Sequence, residues 1–498
     1  MPVAAPHPAF GARMKLVFAA AGSLAILSPF AAAQSGAALA ADGSVSKLQT
    51  DIPALMKEGG VPGISLAVIR DGKVSWHRNF GVKNLQFAQP VDDSTIFEAA
   101  SLSKPVFAYA VLKLVEQGKI GLDVPLTTYL PKPYIDNEPR LEKITARIVL
   151  SHRTGFPNWR GDGNPLTVHF TPGERFSYSG EGFVYLQRAV EQIEGKPLNE
   201  VMNMLVFTPL GMTSSSYVWR PDFDDRSATG HDSDGTPQDL WKPKEAGAAS
   251  TLNTTAHDYS LFVVAVLNGV GLKPATLREM ETPQIAVDPE CTNCTERTPK
   301  ELSKTIFWGL GWGIQKNGGE TSLWHWGDNG SFKCFVIANP ALKSGLLIFT
   351  NSENGLAIAP AIIRDATGAD HLAFSWIKYD AYDSPAMKFR QTVQKKGLDS
   401  ALQAFAVPLK DDTIPERSVN SVGYHLLWQK RTADAVRVLK LNTELHPQSA
   451  NAFDSLGEAY MESGDKPLAI ENYEKSLLLD PQNKNAVTQL KKLKESSE

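Results

Sequence analysis

The chain has 498 residues, 42% of them hydrophobic and 21% charged, with 50 basic against 54 acidic side chains and a net charge of -4. That length exceeds one ordinary core, so two or more domains are expected. The near balance of charge excludes a basic nucleic-acid-binding surface, and no long run of one sign points to a strongly charged partner.

The first predicted element is a targeting segment. Arg13 and Lys15 precede an apolar stretch from Leu16 to Phe30, and Ala31-Ala32-Ala33 leads into Gln34. This pattern predicts a secretory signal over 1–33, with Met14 as a candidate start. The apolar stretch is shorter than the roughly 18–20 residues that cross a bilayer. An exported protein, periplasmic or secreted, is therefore expected, with no membrane span after cleavage.

A helix is predicted over 46–58, a strand over 63–69, a tight turn at Asp71-Gly72 and an antiparallel partner over 73–77. Residues 101–117 read as a strongly apolar helix, and Pro105 forces its start close to Ser101. That puts Ser101 where free N–H groups and the helix dipole favour a developing negative charge. From about 122 to 275 the pattern is mostly helical with Pro/Gly-rich loops. Strands are predicted over 309–315, 332–338 and 345–350, and a closing helix over 357–367. Strands at both ends with helices between them predict an α+β fold: one antiparallel sheet flanked by helices, with a large helical subdomain.

Three cysteines occur, Cys291, Cys294 and Cys334. The Cys-x-x-Cys pair lacks the second pair that a structural zinc site needs, and Pro289 with Thr/Asn-rich flanks suggests a loop. A small local disulfide is expected there, adding little stability. Cys334 reads as a buried strand residue. No metal or cofactor is expected.

The tail differs in kind. Phe453, Leu456, Gly457, Tyr460, Ala469, Tyr473 and Pro481 fit the tetratricopeptide pattern. Pro447 and Pro481, Gly423 and Gly457, and Ala435 and Ala469 are each 34 residues apart, the period of that repeat. An all-α module presenting a concave face to a peptide or protein partner is expected. The expected boundaries are a signal over 1–33, a first domain over 44–375, a helical linker over 376–413 and repeats over 414–496.

Three short elements carry the chemistry: Ser101-Leu102-Ser103-Lys104, Tyr178, and His325-Trp326-Gly327. A serine followed three residues later by lysine puts hydroxyl and amine on one helical face, which sets a weak nucleophile beside a base. Such spacing is common by itself; the ordered set of three gives it weight.

Residues from Val61 to about Thr367 resemble the serine β-lactamase-like family of class C β-lactamases, D,D-peptidases, D-aminopeptidases and related esterases. Leu150 to Pro157, Phe170-Thr171-Pro172-Gly173 before Phe176-Ser177-Tyr178-Ser179, and Gly309 to Gly313 also match its segments. The resemblance implies that Ser101 forms an acyl-enzyme, that Lys104 deprotonates it, and that Tyr178 shares proton transfer. It implies an oxyanion hole from the backbone N–H groups of Ser101 and Asp328. It places His325, Trp326, Gly327 and Gly180 at the substrate, and gives His152 a loop-fixing role.

One departure bears on specificity. Relatives carry Tyr-x-Asn where this chain reads Tyr178-Ser179-Gly180, and a lost buried hydrogen-bond partner costs about 1–3 kcal/mol. Esters or D-amino-acid amides are therefore expected substrates ahead of β-lactams. Two rivals stand beside this expectation: an inactive protein acting as a repeat-mediated binding module, and a cell-wall D,D-peptidase.

Overall fold

The run Gly63–Arg70 forms strand β1, buried along all but its last residue. A tight turn at Asp71-Gly72 returns the chain as β2 (Lys73–Asn84), longer than the sequence predicts and half-exposed over most of its length. Short strand β3 is Gln89–Pro90. Far along the chain follow β4 (Ile285–Ala286), β5 (Ile306–Trp308), β6 (Gly313–Asn317), β7 (Glu320–Asp328), β8 (Lys333–Asn339) and β9 (Ser344–Thr350). They make one nine-stranded sheet in the order β3-β2-β1-β9-β8-β7-β6-β5-β4, antiparallel throughout. Early and late chain thus meet at mid-sheet, with Ile64 opposite Thr350. This is the α+β architecture expected.

This computed structural model describes residues 43–161, 165–295 and 297–495; the expected signal over 1–33 lies outside them. Helix α1 is Gly43–Gly59, α2 is Ser103–Glu116, α3 is Gly180–Glu194, α4 is Ala256–Leu267 and α5 is Gly355–Thr367. Strand β9 is buried along its whole length because α4 and α5 both pack on it. Helix α2 is buried on nearly every side, as a helix apolar all round must be. Its residues lie in the large apolar cluster that joins the helical region to the sheet.

Two differences from the sequence reading matter to the site. Ser101 lies in a 3-10 turn over Ala100–Leu102, and the α-helix proper starts at Ser103. The predicted strand 309–315 is displaced to Gly313–Asn317, and the His-Trp-Gly element forms the end of β7, which no alternating pattern announces. Trp324 and His325 are both buried, so the period-2 signal of a half-exposed strand is missing.

The chain divides into two compact units, one ending at Tyr379 and one beginning at Asp380. Residues 376–379, expected in the linker, belong to the first. The second is all-helical. Helices over Pro385–Lys396 and Leu398–Ala404, in the expected linker, contribute Phe389, Val393, Leu398 and Ala401 to the same core as Val419, Leu426 and Leu439. Helix Glu416–Trp428 pairs with Thr432–Leu445, and Ala450–Ser463 with Lys466–Leu479. The 34-residue spacing has a packing cause. A Cβ on Gly423 would stand 2.5 Å from Leu439, and one on Gly457 would stand 3.0 Å from Tyr473. Each pair closes through the same glycine.

Candidate active site

The turn that carries Ser101 is pinned from several sides. Phe97–Glu98 pairs with Asn253–Thr254, and the Ala99 N–H donates to the Leu252 carbonyl at 2.8 Å. The Ser103 hydroxyl donates to the Ala100 carbonyl at 2.6 Å and accepts the Leu252 N–H at 3.0 Å. Tyr259 and Tyr217 donate to the carbonyls of Leu102 and Ser103. Ala100 is held at φ 48°, a left-handed conformation that costs a residue with a Cβ roughly 1–3 kcal/mol. The surrounding bonds fix the backbone immediately before the nucleophile candidate.

Lys104 Nζ is hydrogen-bonded to Ser101 Oγ at 2.9 Å and donates to the Ala249 carbonyl at 2.8 Å. The lysine is fully buried, with no carboxylate paired to it among the described residues. Burial therefore pushes its pKa well below the ordinary lysine range. Nζ lies over two rings, 4.8 Å from the Tyr178 centroid and 5.7 Å from that of Phe183.

Tyr178 sits on an extended segment leading into α3. Its N–H donates to the Thr292 carbonyl at 2.9 Å, and the Ser177 N–H donates to the His152 carbonyl at 2.9 Å. Ser179 caps α3, accepting the Gly182 N–H on its hydroxyl at 3.0 Å. The Tyr178 hydroxyl is buried without a hydrogen bond of ordinary geometry. Burial raises its pKa above the usual phenol value, partly offset by the Ser101 hydroxyl beside it. At neutral pH it is a protonated phenol facing a serine.

Strand β7 brings the third element in. A Cβ on Gly327 would lie 2.5 Å from the Ala99 carbonyl and 3.2 Å from Ala100 Cβ, so glycine lets the strand end abut the Ser101 turn. The next residue, Asp328, is anchored by its side chain. Its carboxylate accepts the Gly330 N–H at 2.8 Å and is bonded by Lys333 Nζ and the Tyr379 hydroxyl. Burial alone would raise that carboxyl, but the Lys333 charge and these bonds hold it below the usual range.

His325 is fully buried, and its Nδ1 donates to the Trp326 carbonyl at 2.8 Å, leaving Nε2 as an acceptor with no partner among the described residues. Burial, with Lys104 nearby, lowers its pKa to about 3. Trp326 is half-buried against Tyr178, 4.8 Å between centroids. Gly180 is the first residue of α3, and a Cβ there would lie 2.7 Å from the Trp159 indole. Trp159 thus covers the side of the chain where a larger residue would project.

Sequence reasoning placed Ser101, Lys104, Tyr178, His325, Trp326, Gly327 and Asp328, and the fold brings all of them together. It missed the aromatic wall behind them. Trp308 lies 5.9 Å from Tyr178, 5.4 Å from His325 and 6.1 Å from Trp376 between centroids. It also missed Tyr379, since nothing local ties a residue beyond α5 to β7. Cys291 and Cys294 are disulfide-bonded, as expected. That loop supplies the Thr292 carbonyl to Tyr178, and its Cys294 N–H donates to the Ser177 hydroxyl at 2.9 Å. Cys334 is buried on β8, as expected.

A Beta-lactamase family model matches residues 48–367, the stretch that holds every one of these groups except Trp376 and Tyr379. The chain belongs to the beta-lactamase family. Within that family it is similar to a penicillin-binding protein of Bacillus subtilis (strain 168), 24% identical over 393 residues, covering 71% of this chain and 80% of the relative. It is also similar to Esterase EstB of Burkholderia gladioli, 29% identical over 227 residues, covering 39% of this chain and 55% of the relative. A solved structure, the octameric penicillin-binding protein homologue from Pyrococcus abyssi, superposes with a TM-score of 0.54 at 25% identity, covering 71% and 82% of the two chains. Relatives named as a penicillin-binding protein and as an esterase thus both share this family's fold with the chain.

Proposed function

We propose that this protein is an exported serine hydrolase that forms an acyl-enzyme on Ser101 and acts on esters or compact D-amino-acid amides. The observation that carries this reading is the 2.9 Å contact between Ser101 Oγ and Lys104 Nζ, made by a buried lysine that has no carboxylate to keep it charged. An uncharged amine there is a base in contact with its hydroxyl. As Ser101 attacks a carbonyl carbon, its proton passes to Lys104. The tetrahedral oxyanion is held by the N–H groups of Ser101 and Asp328, two donors worth several kcal/mol of transition-state stabilisation. Tyr178 gives its proton to the leaving group and takes one from Lys104. Water then attacks the ester carbonyl while its proton passes through Tyr178 to Ser101 Oγ, the acyl–Oγ bond breaks, and the acid is released with Ser101 restored.

Gly180 and Trp159 support the substrate class. Where an amide side chain at position 180 could bind a lactam or peptide carbonyl, glycine offers none of its own, and the carbon edge of the Trp159 indole fills the space beside it. Aryl and short alkyl esters need no such donor. Arg13, Lys15 and the apolar run to Phe30 support export, and the repeated glycine-closed helix pairs support a tetratricopeptide module with a peptide or protein partner.

Incubation with a fluorophosphonate, followed by mass spectrometry, is expected to add one adduct on Ser101; Ser101→Ala is expected to take none and to lose turnover of p-nitrophenyl butyrate. An unlabelled wild-type protein would make the chain an inactive scaffold. A cephalosporin hydrolysed far faster than the ester, or D-alanine released from a stem peptide, would replace the substrate class.

A further inference from the structure

His152 lies directly behind Tyr178. The two rings are 4.2 Å apart between centroids and inclined by only 25°. His152 Nδ1 accepts the Ser179 N–H at 3.0 Å, and its carbonyl accepts the Ser177 N–H at 2.9 Å. One residue therefore holds the backbone on both sides of Tyr178 and covers a face of its ring. Because Nδ1 accepts, the neutral imidazole carries its proton on Nε2. Burial, with Lys104 and His325 close by, holds its pKa well below the usual imidazole range, so the ring stays neutral.

The cost of placing a histidine here argues for a specific use. Helix Ala146–Leu150 ends at Ser151, and His152 follows at φ 55° with its N–H bonded to the Val149 carbonyl at 2.9 Å. In this left-handed position after a helix, glycine is the least strained residue. Helix termination alone would favour glycine, whereas the contacts to Tyr178 and Ser179 need an imidazole. Phe183 and Trp308 close the other sides of the ring at 5.2 Å and 5.1 Å.

We propose that His152 is a positioning residue for the hydrolysis, setting the orientation of the Tyr178 phenol toward Ser101 and acting on turnover through Tyr178. This rests on the acyl-enzyme reading above. A double-mutant cycle with Tyr178→Phe tests it in the full-length protein, read as kcat and KM for p-nitrophenyl butyrate. His152→Phe keeps a flat ring and removes the acceptor. Its kcat is expected to fall about 10- to 100-fold with KM nearly unchanged, the scale of a misplaced reacting group. His152→Asn keeps an acceptor near the Nδ1 position and is expected to recover part of that loss. In the Tyr178→Phe background, neither change at 152 should reduce kcat further.

Additive losses, or a His152→Phe kcat within about twofold of the wild type, would overturn the proposal. If His152→Phe fails to fold by its melting curve, His152→Asn carries the same cycle. Two controls separate this proposal from the reading beneath it. Fluorophosphonate labelling of wild-type Ser101 reports on the hydrolase itself. A crystal structure of the variant reports on His152 without activity: a displaced Tyr178 ring is expected, and an unmoved ring sinks the idea.

Discussion

Glu98, three residues before Ser101, is a carboxylic acid with no cation paired to it among the described residues. It is buried, its carboxylate accepts the Asn329 side-chain N–H at 2.9 Å, and burial raises its pKa from 4.5 to about 7 despite that bond. Between those two values the native state holds a proton that the unfolded chain has released. Stability therefore falls as pH rises through that window, by roughly 2–4 kcal/mol at about 1.4 kcal/mol per unit. Glu98→Gln carries no such charge. Its urea midpoint is expected to match the wild type near pH 5 and to exceed it at pH 8. Equal midpoints at both values would show that Glu98 ionises freely. The site tolerates this acid because Asn329 also donates to the Ser250 carbonyl, next to the Ala249 carbonyl that takes Lys104. Acid and amine are held in one hydrogen-bonded neighbourhood without forming an ion pair, so neither is kept charged by the other.

At the scale of elements, the extended segment Phe176–Ser179 is held on one side by His152 and on the other by the Cys291–Cys294 loop. Closing so short a loop stabilises the fold by about 2 kcal/mol at most in the chain-entropy account. Its effect on the site is local, through Thr292 and Cys294. Replacing both cysteines with serine is expected to shift the melting temperature little and to lower kcat several-fold. An unchanged kcat would show that the loop keeps its shape unbonded. This division explains what was legible in the sequence. Ser101, Lys104, Tyr178 and His325 announce themselves because their chemistry constrains residue type and spacing. His152 was read as a loop residue because its contacts with Tyr178 cross 26 residues and depend on one backbone angle. Strand β7 escaped because the face bearing Trp324 and Trp326 is covered by Trp308 and Trp376, which removes the alternation that marks a strand.

For the whole molecule, two compact units imply two places where a mutation can act. Gly423→Ala would push a methyl into Leu439, which is fully buried and has no room to retreat. Overpacking of this kind costs typically 1–3 kcal/mol. Calorimetry is expected to show the helical unit melting earlier, and an unshifted scan would mean the helix pair can slide apart cheaply. The repeat period was readable because one glycine per pair must meet a bulky side chain. The division after Tyr379 was not, since the short helix Ala373–Ile377 and Tyr379 follow α5 with no sequence signal tying them to the sheet domain. Bonds back to Asp288 and Asp328, with the ring contacts of Trp376 to Trp308 and Trp326, place them there.

The indoles behind Tyr178 have an optical consequence. Trp308, Trp324, Trp326 and Trp376 form a chain with centroids 5.6 Å, 5.9 Å and 5.8 Å apart, close enough for ultraviolet excitation absorbed by one to migrate among all four. Trp324 and Trp308 are sealed from solvent, whereas Trp326 is partly open beside the phenol. Trp326 is thus the ring of the four whose emission a group held at Ser101 would alter first, a gauge of occupancy free of any attached dye.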